Sequence, residues 1–254
     1  MRLGLIIKTK SLLSIGSGRA GFLADVVLYR ALFFNNKYYI ENFLIPGSTI
    51  KGTLRTSASK IAWILNLSSC GEIDPIKISR AHSLMKDSCD ICKIFGEPGG
   101  SLSPLEVTEF YPIKNPKNAI RIFDKRILKI NLKDSHWIKD FIRSITRIRI
   151  SDDTQNVAEG ALFKSEYYPP STYFYGEIKL NKPSAWSNEY YINACRLILL
   201  AIANMNYERI GRSGLAKFSI INYEDLPKDD LCSKIIESLS FNEEDVKWRY
   251  LMLN

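Results

Sequence analysis

Cysteine and histidine residues with metal-ligand spacing lie between positions 70 and 92. Cys89 and Cys92 form a C-x-x-C motif, and Cys70 and His82 precede it. Three thiolates and one imidazole are a typical ligand set for a tetrahedral structural zinc ion. A redox role for the motif needs a thioredoxin-like βαβ setting, which the neighbouring sequence lacks. The sequence therefore predicts a structural Zn2+ site, with plain thiols as the alternative.

A predicted helix N-terminus has the residue types that bind a phosphate group. Ser48 and Thr49 supply hydroxyl groups at the start of the helix, and either can cap it. Lys51 and Arg55 follow four residues apart on one helical face, close to the amide groups of the first turn. Thr53 stands where a Walker A loop has its lysine, which excludes a nucleoside triphosphate site. The segment predicts a phosphodiester contact, and a capped surface helix with solvated cations is the alternative.

An early glycine turn matches the G-x-G-x-x-G pattern of dinucleotide-binding folds. It covers Gly16 to Gly21 and contains Arg19. A dinucleotide site needs a helix that begins at the last glycine, whereas residues 24–30 are half β-branched and aromatic and no later βαβ units follow. We therefore reject a nicotinamide site and predict a flexible, basic turn that approaches a phosphate backbone.

Two basic stretches in the second half of the chain also fit a polyanion. Arg147 and Arg149 alternate with isoleucines in a predicted strand, which leads to aromatic residues able to stack on bases. A solvated basic edge strand is the alternative. Gly211 and Gly214 lie on either side of Arg212, in a turn whose backbone can come close to a phosphate.

The composition is that of an ordinary globular protein with a basic excess. Of 254 residues, 46% are hydrophobic and 24% are charged, which excludes disordered, collagen-like and coiled-coil proteins. Lys and Arg number 35 against 27 Asp and Glu, and the resulting formal charge of +8 favours a polyanionic partner. The apolar N-terminus is broken at Lys8, and the longest apolar run, Leu197–Ala203, is too short to span a membrane. We expect a cytoplasmic protein with no membrane partner, and the odd number of cysteines, 5, argues against a disulfide framework.

Hydrophobic periodicity predicts the elements that must position these residues. In chain order they are strands at Leu3–Ile7 and Lys37–Ile45, a helix at Ile50–Leu65, a strand at Tyr173–Leu180, a buried helix at Tyr191–Met205, a strand at Leu215–Tyr223 and an acidic helix at Asp229–Leu239. The section from about 70 to 172 has the composition of insertions rather than core elements. This order predicts an α+β fold with a ferredoxin-like core, the architecture of the common RNA-recognition module. We expect one domain at residues 1–223 and an acidic helical extension at residues 224–254.

Four segments together resemble the RAMP superfamily, specifically the backbone subunits of type III CRISPR effector complexes. Ile45–Arg55 is similar to the family's IPGSSxKGxxR segment, and Cys89–Gly96 is similar to its CxxCxxFG segment. Arg147–Phe174 resembles its thumb hairpin, and Ile210–Gly214 resembles its C-terminal glycine loop. The resemblance covers about residues 1–223 and leaves the acidic extension outside it.

The resemblance implies that several copies of the chain line up along a CRISPR RNA. Each copy would hold RNA phosphates, while its thumb interrupts pairing with a single-stranded target RNA at regular intervals. The implied partners are the CRISPR RNA, the target RNA, neighbouring backbone subunits and other type III subunits. The implied fold is a ferredoxin-like core whose insertions include a zinc-binding segment and a thumb-like β-hairpin. The candidate RNA-binding residues are Arg19, Arg30, Ser48, Thr49, Lys51, Arg55, Arg147, Arg149, Gly211, Arg212 and Gly214.

The resemblance also implies a catalytic residue. Catalytic members have an aspartate five residues before an arginine, and Asp25 precedes Arg30 by that spacing. Its carboxylate would hold a divalent cation, either Mg2+ or another metal ion. The cation would stabilise the phosphorane that forms when the adjacent RNA 2′-hydroxyl attacks the phosphate. Val27 stands where the family commonly has a proline, and type III complexes also contain inactive paralogues. The alternatives are therefore a non-catalytic backbone subunit, or a stand-alone CRISPR-repeat endoribonuclease that uses His82 and His136.

Overall fold

The computed structural model describes residues 1–18, 21, 24–34, 39–85, 87–97, 99–100, 102–124, 132–150, 157–211 and 214–242. Its strands are β1 (Arg2–Thr9), β2 (Arg30–Phe34), β3 (Tyr39–Phe43), β4 (Leu105–Val107), β5 (Tyr111–Ile113), β6 (Arg143–Ile150), β7 (Val157–Tyr167), β8 (Tyr173–Leu180), β9 (Arg209–Ile210) and β10 (Gly214–Glu224). Its α-helices are α1 (Gly47–Ile61), α2 (Pro75–Met85), α3 (Asp90–Phe95), α4 (Asn118–Asp124), α5 (Asn188–Met205) and α6 (Asp230–Leu239). Short 3-10 helices cover Ala62–Leu65 and Leu132–Phe141.

The main sheet joins strands from both ends of the chain. β1 pairs antiparallel with β8 on one side and with β10 on the other. β4 and β5 both pair with the far edge of β8, and β9 pairs with β10. Helix α1 comes between β1 and β4 along the chain, and α5 comes between β8 and β10. This connectivity agrees with the β-α-β-β-α-β order of ferredoxin-like folds, so the fold mixes helices with an antiparallel sheet as expected.

β1 faces two apolar cores, because successive side chains of a strand point to opposite faces of the sheet. Leu3 and Leu5 belong to the larger core, which also contains the apolar sides of α1 and α5. Ile6 belongs to a smaller core that α4 covers. Helices α1 and α5 contact each other directly, since the Ser57 hydroxyl donates to the carbonyl oxygen of Ala201 at 2.9 Å.

Helix α5 is the buried helix that the sequence predicts. The Ser187 side chain caps it by accepting a hydrogen bond from the backbone N–H of Tyr190 at 3.1 Å. Its buried residues are Ala194, Cys195, Leu197, Ile198, Leu199, Ala201, Ile202 and Met205. Within the described ranges, no helix is both long enough and apolar enough to cross a bilayer.

Helix α1 begins differently from the prediction. Its N-cap is Pro46, and no side chain caps the helix, so neither Ser48 nor Thr49 has the predicted capping role. A Cβ atom on Gly47 would lie 2.4 Å from the carbonyl oxygen of Val107, so only glycine fits this close approach. The start of α1 is therefore held against β4 by backbone packing rather than by a hydroxyl cap.

Two antiparallel hairpins, β2–β3 and β6–β7, form separate two-stranded sheets. The predicted strand Lys37–Ile45 corresponds to β3, which covers Tyr39–Phe43, and residues 35–38 lie outside the described residues. Strand β2 was not predicted, and the hairpin β6–β7 falls in the segment that resembles the thumb.

The prediction that residues 70–172 form insertions rather than core elements was wrong for two short strands. β4 and β5 each have three residues and pair with β8. Leu105 and Ile113 in these strands are buried. Three residues are too few to show a period of two in the sequence, and Pro112 lies in the middle of β5.

Helix α6 shares the larger core, although it lies in the predicted extension. Asp229 caps it by accepting a hydrogen bond from the N–H of Cys232, and the Asp229 carboxylate also pairs with Arg196 on α5. Cys232 and Ile236 are buried in the larger core. The described start of the extension thus packs on the domain that precedes it, and residues 243–254 lie outside the described residues.

Candidate functional site

The four predicted metal ligands form a compact cluster. One ligand atom from each of Cys70, His82, Cys89 and Cys92 lies within 4.8 Å of the other three. Cys89 precedes α3 and Cys92 lies in its first turn, so a spacing of three residues places both sulfurs on one side of that helix. The four residues thus meet as predicted, and thiolate and imidazole donors in this number suit Zn2+.

A carboxylate that the sequence did not reveal orients the histidine of the cluster. His82 Nδ1 lies 2.5 Å from Glu97 Oε2, and both side chains are mostly buried. The Ser88 hydroxyl donates to Glu97 Oε1 at 2.6 Å, which fixes the carboxylate. His82 Nε2 faces the cluster and accepts from the N–H of Cys89 at 3.4 Å. Carboxylate–histidine pairs of this kind commonly support metal ligands, because they set the tautomer and raise the basicity of the ring.

The thiols of the cluster are free, and an arginine contacts one of them. Cys70 Sγ and Cys92 Sγ lie 3.9 Å apart, too far for a disulfide bond. Arg55 Nη2 donates to Cys92 Sγ at 2.8 Å. Burial raises the pKa of the Cys92 thiol to about 12, so a bound metal ion would have to displace its proton.

The candidate catalytic residue lies against the β6–β7 hairpin. Asp25 is exposed, and its Oδ2 accepts a hydrogen bond from the backbone N–H of Lys164 at 2.7 Å. The N–H groups of Asp25 and Val26 both donate to the carbonyl oxygen of Lys164, at 2.9 and 3.1 Å. The segment of residues 24–29, hereafter the Asp25 loop, therefore runs beside β7, which fixes one carboxylate oxygen against the hairpin.

Arg30 fastens the end of the Asp25 loop to the same strand. Arg30 Nη2 donates to both carboxylate oxygens of Glu166 on β7, at 2.8 and 2.9 Å. The N–H of Leu28 donates to Glu166 Oε2 at 3.0 Å. The guanidinium also lies 4.7 Å above the Phe43 ring and 3.5 Å from the Glu41 carboxylate. Arg30 is thus engaged in an ion-pair network, and the RNA contact predicted for it stays a prediction.

The C-terminal glycine loop packs against the chain segment that precedes the Asp25 loop. Gly211 has φ +61, and a Cβ atom there would lie 2.3 Å from the carbonyl oxygen of Ser14. A Cβ on Gly214 would lie 2.3 Å from Leu13 Cδ1. Leu13 in turn bridges to Tyr168 beyond β7. The segment of residues 13–16, hereafter the linking segment, therefore contacts the glycine loop and the end of β7.

The linking segment also contacts the Asp25 loop. Gly16 forms an antiparallel bridge with Leu28, and the N–H of Tyr29 donates to the carbonyl oxygen of Ile15 at 2.9 Å. Three of the predicted sites, at Asp25, at the hairpin and at the glycine loop, are therefore neighbours through one short segment. The sequence separations are too large for a spacing pattern to have predicted this.

The basic residues of the hairpin and turns are only partly described. Arg147 is exposed, and its guanidinium lies 5.1 Å from the Tyr167 ring centroid. Arg19, Arg212 and the side chain of Arg149 lie outside the described residues, so the predictions made for them are untested.

The first turns of α1 carry an exposed hydroxyl group and a partly buried amine. Ser48 is exposed, and Thr49 is half-buried. Burial lowers the pKa of the Lys51 amine, and the positive charge of Arg55 lowers it further. Lys51 and Arg55 lie four residues apart in α1 and therefore on one helical face, as predicted. The role of this face in RNA binding stays a prediction.

The described structure does not test the alternative chemistry that uses His82 and His136. His82 belongs to the Cys/His cluster and is held by Glu97. The side chain of His136 lies outside the described residues.

Comparisons with known proteins identify a family and a similarity in fold. A family model described as the RAMP superfamily matches residues 7–215. No curated protein matches the sequence. A chain from the solved structure "Type IV-B CRISPR Complex" is similar in fold, with a TM-score of 0.55 and 13% sequence identity over 95% of this chain and 100% of that chain. At this identity the similarity concerns the fold alone.

Proposed function

The chain belongs to the RAMP superfamily, and we propose that it is an RNA-binding backbone subunit of a CRISPR effector complex that also cleaves target RNA. The family match over residues 7–215 covers every element of the main sheet at least in part. The fold similarity to a chain of a type IV-B CRISPR complex supports this class of assembly. Assignment to type III, rather than to type IV, rests on the sequence segments that resemble type III backbone subunits.

The observation that carries the proposal is the convergence of three predicted sites on the linking segment. The Asp25 loop, the β6–β7 hairpin and the glycine loop come from distant parts of the chain, yet they contact residues 13–16 or one another. A β-hairpin near a glycine loop would give an RNA strand both a close backbone approach and a surface that can separate base pairs. The formal charge of +8 favours the same partner.

The β6–β7 hairpin carries exposed apolar and basic residues, as such a surface needs. Ile148 on β6 is 52% exposed and Leu162 on β7 is 66% exposed, and the two residues are paired across the hairpin. Arg147 is exposed beside Ile148. In our proposal the apolar pair displaces a base of the guide–target duplex on one face of the hairpin, while the arginine on the other face contacts a phosphate.

Asp25 is the residue that we assign to cleavage. Oxygen donors are the preferred ligands of Mg2+, and the Lys164 amide orients Oδ2 while the residue remains exposed. When bound, the cation would supply positive charge to the phosphoryl oxygens of the transition state. The carbonyl oxygen of Val27 accepts from the N–H of Ser17 at 2.9 Å, which holds the loop at the position where family members commonly have proline.

We assign the Cys/His cluster to structural Zn2+. Cys70, His82, Cys89 and Cys92 would bind the ion, and Glu97 would support His82. The ion would join α2, whose buried residue is Ile78, to the segment before α2 and to α3, which packs into the larger core.

The experiment that tests cleavage uses the assembled complex with guide RNA and a labelled target RNA in Mg2+. Asp25→Asn and Asp25→Ala should bind guide and target as the parent does and should lose cutting, because the missing charge acts in the transition state. Glu237→Gln, a change at an exposed carboxylate on α6, is the matched control and should cut normally. An Asp25→Ala complex that cuts at the parent rate would contradict catalysis by Asp25 and would identify the chain as a non-catalytic backbone subunit.

A further inference from the structure

Arg55 has a structural position that differs from its predicted role as a phosphate contact. We propose that Arg55 is a positioning residue of the metal centre, which holds the Cys92 thiolate and the end of α3 in place for the ion. The inference rests on the proposed Zn2+ site, and it concerns a residue on α1 that lies outside the ligand set.

The guanidinium of Arg55 makes two hydrogen bonds to the metal-binding segment. Nη2 donates to Cys92 Sγ, and Nη1 donates to the carbonyl oxygen of Gly96, each at 2.8 Å. Gly96 is the C-cap of α3, and its own N–H donates back to the carbonyl oxygen of Cys92 at 2.8 Å. The planar fork of an arginine can hold two acceptors at once, which a lysine cannot do in the same geometry. Arg55 therefore fixes both ends of the turn that carries Cys92.

Charge gives a second reason for an arginine at this position. One Zn2+ with three thiolates and a neutral imidazole leaves a net charge of about −1, and the Glu97 carboxylate adds a further negative charge. Cys89 and Cys92 are 1% and 0% exposed, so water provides little screening there. A guanidinium in direct contact with a thiolate compensates this charge and strengthens the hydrogen bond. Removal of Arg55 would leave the negative charge of the metal centre uncompensated. It would also remove a hydrogen-bond donor from the Gly96 carbonyl oxygen.

The contact also joins the metal centre to α1. Leu54, next to Arg55, is fully buried in the larger core, so the backbone of α1 gives the guanidinium a rigid support. Lys51 lies one turn earlier on the same face and has no such contact with the cluster among the described residues. The two predicted phosphate contacts of this helix are therefore separable by experiment.

Zinc affinity of the purified full chain is the first test. We expect Arg55→Ala to weaken Zn2+ binding, measured by competition with a chromophoric chelator, by about 10- to 100-fold, the usual loss for an outer-shell partner of a metal ligand. Arg55→Lys, which retains the charge without the planar fork, should lose less Zn2+ affinity than Arg55→Ala. Lys60→Ala, a change at an exposed cation on the same helix, is the control and should bind Zn2+ like the parent. Parent-like affinity in Arg55→Ala would overturn the proposal.

Cobalt substitution tests the contact itself and guards against a simple folding defect. A hydrogen bond to a thiolate lowers the energy of its lone pair, so its loss in Co2+-loaded Arg55→Ala should move the sulfur-to-cobalt charge-transfer band to longer wavelength. RNA affinity of Arg55→Ala at saturating Zn2+ should remain within about twofold of the parent. An unchanged band together with weakened RNA binding would identify Arg55 as a phosphate contact and overturn the proposal. A parent chain that binds neither Zn2+ nor Co2+ would refute the metal site itself, independently of RNA binding.

Discussion

The Arg30–Glu166 ion pair should determine how firmly the Asp25 loop is held on β7. Glu166→Gln preserves the size of the side chain but removes the charge that accepts two bonds from Arg30 and one from Leu28. A hydrogen bond to a charged group contributes about 1.5–3 kcal/mol, and the side chains are 30% and 16% exposed. Because Arg30 keeps its contact with Glu41 and the glutamine oxygen still accepts one bond, we expect a loss of about 1–2 kcal/mol.

Urea unfolding of the full chain, followed by tryptophan fluorescence, measures this change in the free energy of unfolding. Hydrogen exchange of the Asp25 and Val26 amides locates it, since both donate to Lys164 on β7 and should exchange faster in Glu166→Gln. Glu237→Gln should change the free energy of unfolding by less than about 0.5 kcal/mol, as surface substitutions usually do. If Glu166→Gln behaves like this control and the two amides keep their protection, the ion pair does not hold the loop.

Three further predictions concern RNA affinity, the metal and the glycine loop. Lys51→Ala should weaken RNA binding about equally for all sequences and reduce the salt slope by about one, and an unchanged slope would remove α1 from the interface. Freshly purified chain should contain about one zinc ion, which Cys89→Ser should lose together with thermal stability; elemental analysis that finds no zinc in the parent contradicts the site. Gly211→Ala should destabilise the chain by about 1–3 kcal/mol, because its Cβ would meet the Ser14 carbonyl oxygen at 2.3 Å with φ at +61. A Cβ atom on Gly52, inside α1, would meet open space, so Gly52→Ala should instead stabilise the chain by up to about 1 kcal/mol. Equal changes in the free energy of unfolding for the two variants, measured with urea, would contradict this account.

The metal cluster was largely predictable because its information is local. The Cys89–Cys92 spacing places two candidate ligands on one helical turn. Few other cysteine or histidine residues are present to supply the remaining ligands, since the chain has 5 Cys and 2 His. The residues that support the cluster gave no such signal. Glu97 lies 15 residues after His82 with no helical repeat between them, and Arg55 comes from another helix. Their contacts depend on how α1, α2 and α3 pack, which a spacing pattern does not encode.

Some strands of the main sheet were likewise predictable from the sequence, and others were not. β1, β8 and β10 are long enough for their burial to appear as apolar runs or alternation, and they were predicted. β4 and β5 were missed because three residues carry no period. The neighbourhood of Asp25 and Lys164 joins residues 139 positions apart, so only the folded chain reveals it.

Purification of the chain with its bound partners from its native host tests the central claim most directly. The account predicts that a small RNA containing CRISPR repeat sequence co-purifies, that other complex subunits accompany it, and that ultraviolet crosslinks from this RNA fall on the β6–β7 hairpin and the glycine loop. A chain that is recovered without RNA, or with RNA unrelated to CRISPR repeats and crosslinked elsewhere, would contradict its assignment as a backbone subunit.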